Sequence, residues 1–163
     1  MNSLSNISCE AVLPVTELKS TEEIERSIQK KYRKYLWSPF IKAAKEFSLV
    51  EDGDRIAVAI SGGKDSLLLA KLLQELQRAS RTEFELVFIS MNPGFNSENL
   101  ENLKKNLDHL RIPCEIYDDN IFEIAEKMAK DYPCYMCAKM RRGSLYTKAV
   151  SLGCNKLALG HHM

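Results

Sequence analysis

From Glu51 onward the chain alternates short β-branched runs with longer stretches in which leucines recur every three or four residues. Asp52-Gly53-Asp54 signals a turn, and Arg55 to Ile60 after it reads as a first strand. Asp65 to Arg78 sets Leu68, Leu72 and Leu76, with Leu69 and Leu73 beside them, at helical spacing. Phe84 to Ser90 is a second apolar strand, ended by Asn92-Pro93-Gly94. Ser97 to Leu110 carries Leu100, Leu103, Leu107 and Leu110 on one helix stripe, with Ser97 placed to cap it. Pro113 restarts the chain, and Cys114 to Tyr117 is a third strand. Ile121 to Lys130 predicts a helix with Ile121, Ile124, Ala125 and Met128 inward, and Cys137 to Leu152 another, stopped by Gly153. Lys156 to Leu159 is the fourth strand, with Gly160-His161-His162 at its tip.

Upstream the pattern differs. Residues 1–20 show neither period and are expected to be a loose tail. Glu22 to Phe47 reads as helical, interrupted near Pro39 and capped by Ser20 or Thr21. The expected organisation is therefore a tail (1–20), a basic helical segment (21–50) and one nucleotide-binding domain (51–163). The domain is α/β, with a doubly wound parallel sheet covered on both faces. Right-handed crossovers bring all strand carboxyl ends to one edge, where such sheets bind ligands. Ser61 to Ser66, Ser90 to Phe95 and Gly160 to His162 all fall at that edge.

Composition narrows the picture. The 163 residues carry a formal net charge of +1, so any affinity for nucleic acid must come from a local patch. One patch is visible: Arg26, Lys30, Lys31, Arg33 and Lys34, interleaved with Tyr32, Tyr35 and Trp37. It reads either as a solvated helix face whose aromatics pack on the domain or as an RNA-contacting arm. No apolar run approaches the roughly 20 residues of a membrane span, and the start has no charged, apolar secretion pattern. The five cysteines are Cys9, Cys114, Cys134, Cys137 and Cys154, an odd count that points to reduced thiols in the cytoplasm.

The strongest chemistry lies in Ser61-Gly62-Gly63-Lys64-Asp65-Ser66, between the first strand and its helix. The glycines let the backbone turn tightly and approach a ligand, and the helix start favours an anion there. Ser61 and Ser66 add hydroxyls, and Lys64 adds charge. Asp65 would repel a phosphate unless a Mg²⁺ ion lies between them. The spacing is not that of a Walker A loop, in which Ser or Thr follows the lysine directly.

S-G-G-K-D-S after an apolar strand resembles the pyrophosphate loop of the N-type ATP pyrophosphatases. That resemblance implies cleavage of ATP between its α and β phosphates and transfer of AMP to a substrate oxygen. It implies ATP contacts from Ser61, Gly62, Gly63, Lys64, Asp65 and Ser66. Adenine would sit near Ser90 to Asn92, including Met91, and Gly160 and His161 would also line the site. Lys64 and Asp65 would be the catalytic pair, Asp65 holding Mg²⁺.

A second motif is Tyr132-Pro133-Cys134-Tyr135-Met136-Cys137, at the start of a helix. Cysteines three apart share a helix face, and the helix start lowers their thiol pKa. The pair alone fits half a zinc site, a redox pair, cluster ligands or two structural cysteines. The loop, the C-x-x-C followed by Arg141-Arg142-Gly143, and Leu157-Ala158-Leu159-Gly160-His161-His162 together resemble the tRNA 2-thiocytidine synthetase family. This implies ATP, Mg²⁺ and a [4Fe-4S] cluster held by three cysteines, two of them Cys134 and Cys137. It implies tRNA as substrate, a sulfur donor such as a cysteine desulfurase system, and a homodimer as one assembly. Lys30, Lys31, Arg33, Lys34, Arg141 and Arg142 are the candidate RNA contacts; for the last two, ATP phosphate or plain surface charge fits equally.

In that family G-H-H is followed by an acidic or amide pair, more secondary structure and the third cluster cysteine. This sequence stops at Met163. The expectation is therefore a partial chain that keeps an ATP site and lacks the third ligand, with Cys114 and Cys154 in core or strand-edge positions. A lysidine synthetase shares the loop but has no use for the cysteine pair, and small-molecule amidating enzymes fit less well for the same reason. A non-catalytic nucleotide- or metal-binding module is the alternative from another class. His161 is expected to position ligand, and His109 to be a surface residue.

Overall fold

The computed structural model describes residues 19–61, 63–92, 97–118 and 133–160, and for 133–141 the backbone path only. Four parallel strands form one sheet in the order β3-β2-β1-β4: β1 (Arg55–Ala59), β2 (Glu85–Asn92), β3 (Cys114–Asp118) and β4 (Lys156–Leu159). The helices are α1 (Thr21–Gln29), α2 (Ser38–Glu46), α3 (Lys64–Ala79), α4 (Ser97–His109) and α5 (Pro133–Ser151). The doubly wound reading is borne out. The expected helix at 121–130 lies outside the described residues.

Each strand divides its side chains between two cores, because successive residues point to opposite faces. Ile56, Val58 and Ile60 face the leucines of α3 and α4, together with Ile28 of α1 and Ala44 of α2. Ala57 and Ile89 face the other way, against Ala149 of α5. Crossovers β1 to β2 to β3 run in one direction, and β4 then returns to the far side of β1. The strand order thus reverses at β1 and β4, and the crevice that binds ligands in such sheets opens at their carboxyl ends.

The N-terminal segment is not one helix broken at Pro39. Ser20 caps α1 by accepting from the Glu23 amide at 3.2 Å, and the α-helix ends at Gln29. After Lys30–Tyr32 the chain widens into a π-helical turn over Arg33–Trp37. Pro39 sits in the first turn of α2, where its missing N–H costs little. The wide turn falls just ahead of the proline, where an α-helical bond cannot be donated. Gly153 ends α5 with a φ of +77°, the left-handed stop its position suggests.

The amino ends of β4, β1 and β2 are tied together by polar contacts. Asp54, buried just before β1, accepts from the Glu51 amide at 2.8 Å, Asn155 Nδ2 at 2.8 Å and Lys156 Nζ at 2.6 Å. Arg55 donates from its amide to Asn155 Oδ1 (2.8 Å) and from Nε to the Leu152 carbonyl (2.9 Å). It also pairs with Glu85 at the start of β2. These contacts fix how far β4 runs alongside β1.

The hydrogen bond from Lys156 holds the Asp54 carboxyl below its ordinary value of 3.8, and the same bond raises Lys156 above 10.5. The depressed carboxyl contributes stability above its unfolded pKa and loses it as pH falls through the folded value. The raised lysine contributes below its unfolded pKa and loses it only as pH rises through the folded value. The lock is thus complete across the neutral range. Asp54→Asn is expected to lower stability by about 1–3 kcal/mol at neutral pH in urea titrations, with the gap to wild type closing below about pH 4. Equal stability of the two proteins at neutral pH would contradict this account.

Candidate functional site

The segment between β1 and α3 is organised around one hydroxyl. Ser66, with 1% of its surface exposed, accepts from the Ser61 amide at 3.2 Å and lies 3.2 Å from the Ser61 hydroxyl. It donates to the Gly63 carbonyl at 2.9 Å, while the Gly63 amide donates to Ser61 Oγ at 3.3 Å. Ser66 therefore shapes the loop from inside. Ser61, Gly63 and Lys64 are exposed at the sheet's carboxyl edge, and Asp65 is half-buried. The N-cap of α3 is Gly63, which offers no side chain to cover the first-turn amides. Those amides and the helix dipole make the loop suited to an anion.

Gly160, just past β4, packs directly on the start of α3. A Cβ there would lie 2.8 Å from Ser66 Cα, 2.9 Å from the Ser66 nitrogen and 3.0 Å from the Asp65 carbonyl carbon. Only glycine allows this approach, so the G of the G-H-H motif is a packing requirement of the loop itself. His161 and His162 lie outside the described residues, as does Gly62.

At the end of β2, Ser90 is buried, and its hydroxyl has no hydrogen-bond partner among the described residues. A buried polar group left so is costly unless a ligand or water completes it. It lies on the β2 face shared with Phe88, the α3 side; Met91 follows on the opposite face and is half-buried. The sequence already set Ser90 and Ser66 at this edge; what it did not show is the burial of both and the inward role of Ser66, which needs the loop's hydrogen bonds to be seen.

Cys134 and Cys137 occupy the first turn of α5, which begins at Pro133. Cys154 follows the other end of this helix and packs in the second core. At about 1.5 Å per helical residue, Cys137 and the helix end at Ser151 are roughly 20 Å apart, too far for Cys154 to share a metal with the pair. Cys114 opens β3, half-buried against the first core, and burial pushes its thiol up to about 12. Both thus occupy core or strand-edge positions; Cys9 lies outside the described residues. No group of three or more His, Cys, Asp or Glu that could hold a metal occurs among the described residues.

The basic segment follows α1, which is held against α3 by a polar network the sequence did not reveal. Lys71 of α3 is 2% exposed, and its Nζ donates to Glu25 Oε1 (2.7 Å), Gln74 Oε1 (2.8 Å) and the Leu110 carbonyl (2.9 Å). Arg78 bridges Glu25 at 2.9 Å and Glu75 at 2.6 Å. Burial raises the Glu25 pKa, but the bonds from Arg78 and Lys71 outweigh it and hold the carboxyl below its ordinary value. Lys30, Lys31, Arg33 and Lys34 are all exposed. Of the three aromatics, Trp37 is buried against Phe40, whereas Tyr32 and Tyr35 are exposed. The packed-aromatic reading therefore holds for Trp37 alone. Arg142 is exposed on α5, and the side chain of Arg141 lies outside the description. His109 is on the surface, its Nε2 2.7 Å from the Lys19 carbonyl oxygen.

A family model described as the PP-loop domain matches residues 21–163. The chain is similar to a tRNA-cytidine(32) 2-sulfurtransferase from Pelobacter propionicus, 42% identical over 123 residues, covering 74% of this chain and 46% of that protein. A protein of the same name from Neisseria meningitidis serogroup C is 35% identical over 149 residues, covering 88% of this chain and 45% of the relative. The chain spans about half the length of the curated relatives it matches. Among solved structures, the U34-tRNA thiolase NcsA from Methanococcus maripaludis, with its [4Fe-4S] cluster, superposes with a TM-score of 0.59 at 25% identity. That match covers 78% of this chain and 47% of the other. No helix among the described residues is long and apolar enough to cross a membrane.

Gly160→Ala must displace the first turn of α3 from β4. The expected result is at least a roughly tenfold loss of ATP affinity by calorimetry, with a stability loss of about 1–3 kcal/mol from overpacking. A variant that binds ATP as wild type does would show that the loop tolerates the shift.

Proposed function

The chain belongs to the PP-loop domain family, and on that premise we propose that it is the nucleotide-binding part of an ATP-dependent tRNA sulfurtransferase that makes 2-thiocytidine. The observation that carries the reading is the loop Ser61–Ser66, set at the sheet's reversal point with Gly160 against its helix. In the proposed reaction the 2-oxygen of an anticodon-loop cytidine attacks the α-phosphorus of ATP. A P–O bond forms, the α–β anhydride breaks, and pyrophosphate leaves. A sulfur nucleophile then attacks C2, forming a C–S bond, and AMP departs with the oxygen.

Within that scheme the first-turn amides of α3 and the Lys64 ammonium stabilise charge on the departing pyrophosphate. Asp65, half-buried beside them, is suited to hold one Mg²⁺. Ser90, with its unanswered hydroxyl, supports a role in bonding the nucleoside. Cys134 and Cys137 fit two ligands of a [4Fe-4S] cluster, which when bound would hold the sulfur to be transferred. The third ligand is expected from polypeptide beyond this stretch, and the sulfur from a donor such as a cysteine desulfurase system. The exposure of Lys30, Lys31, Arg33 and Lys34 supports their role as contacts to tRNA phosphates, with Arg142 a further candidate. The setting for this chemistry is the cytoplasm. A lysidine-type reaction would need the loop but leave the cysteine pair without a role.

Calorimetry tests the nucleotide part. The chain should bind ATP, and Asp65→Ala should weaken Mg-dependent binding about tenfold or more while changing Mg-free binding little. A folded wild-type chain that binds no ATP would sink the proposal. In a longer protein that carries the third cysteine, Cys134→Ala or Cys137→Ala should abolish iron binding and thiolation and spare ATP binding.

A further inference from the structure

The arm carries more than charge. Tyr35 is 73% exposed and Tyr32 41% exposed, an unusual display for two large rings in a segment whose third aromatic, Trp37, is buried. Both stand in or beside the π-helical turn, an irregular form that often accompanies functional sites. Lys31 Nζ lies 5.3 Å from the Tyr32 ring centre, and Lys34 Nζ 5.7 Å from that of Tyr35. A cation over an aromatic face, with a ring still open to solvent as that of Tyr35 is, can serve a flat electron-rich ligand flanked by phosphates. Tyr32 also lines a cavity of about 320 Å³ with Leu67 and Leu68, the two residues that follow the phosphate loop. Tyr32 therefore packs against the side of α3 just past the phosphate loop.

We propose that Tyr35 and Tyr32 form a stacking platform for unpaired nucleobases, so that the arm selects single-stranded RNA rather than duplex. This rests on the reading of the arm as an RNA contact. Charge alone would not discriminate, because the lysines meet phosphates in either form. A duplex keeps its base faces buried in its own stack, whereas an unpaired loop leaves them available to tyrosine. The platform thus supplies what the basic residues cannot, a preference for the kind of RNA in which a cytidine is accessible to chemistry.

The test uses two labelled probes in fluorescence anisotropy, an unpaired pyrimidine 12-mer RNA and a 12-base-pair RNA duplex, across a salt series. Tyr35→Ala should weaken the unpaired probe by about five- to hundredfold, leave duplex binding within about twofold, and leave the salt slope unchanged. Tyr35→Trp should keep the affinity, and its emission should be quenched by the unpaired probe and not by the duplex. Tyr35 is exposed, so neither variant is expected to disturb the core, and circular dichroism melting checks this. If Tyr35→Ala weakens both probes alike or neither, while the double variant Lys30→Gln with Arg33→Gln still lowers the salt slope, stacking is wrong and the RNA arm stands. If the double variant leaves the slope unchanged for both probes, the RNA reading of the arm is itself overturned.

Discussion

Everything at the carboxyl edge depends on the approach of Gly160 to the backbone of Asp65 and Ser66. That approach exists because β1 and β4 run parallel in one register, with Ala59 beside Leu159. One residue later each strand delivers its loop to the same height. A slip of one residue would move β4 by about 3.3 Å and turn its side chains to the opposite core. The polar lock at the amino ends, Asp54 with Lys156 and Arg55 with Asn155, opposes such a slip from the far end. The loop's internal bonds through Ser66 then need no side-chain cap on α3. The first-turn amides stay directed toward a ligand because the turn is built from within.

The arm is positioned by a different kind of constraint. A lysine in an apolar interior must have its three donors answered, and Lys71 meets that need from α1, α3 and the turn after α4 together. Buried ion pairs of this sort often add little net stability against an apolar alternative. Their value here is orientation. Other placements of α1 would leave the Lys71 ammonium or the Glu25 carboxylate unanswered, so α1 crosses α3 in one defined position. The π-helical turn then carries Tyr35 outward while Trp37 anchors the same segment inward.

The sequence made the scaffold readable because the scaffold rests on local periods. The spacing of Leu68, Leu72 and Leu76 names α3, and the Lys156–Leu159 strand is observed with the bounds its apolar run predicts. Gly153 and the Ser20 cap were readable because each performs a backbone task few residues can. The loop was legible as chemistry for the same reason. What escaped was everything decided by a partner far along the chain. Lys71 looks like any helix lysine until Glu25, 46 positions earlier, is seen beside it. Ser66 resembles a ligand donor until its burial turns it inward. Pro39 suggested a break at its own position, whereas the helix yields earlier, because a proline in a first turn disturbs only the turn before it.

A parallel sheet also explains how two unlike chemistries can share one substrate position. In each strand–helix–strand unit the helix runs back from the carboxyl edge, so α3 and α5 both begin there and end at the amino edge. The Leu152 carbonyl, just past the last turn of α5, meets Arg55 at the start of β1, which fixes that direction. The two helices lie on opposite faces, yet their amino ends, each with a partial positive charge, converge on one edge. At α3 that charge suits phosphates. In the proposed reaction activation and sulfur delivery therefore address the target base from two sides of a single crevice. The RNA can stay in place between the steps, and the arm beside α3 is where a base held still for both of them would be gripped.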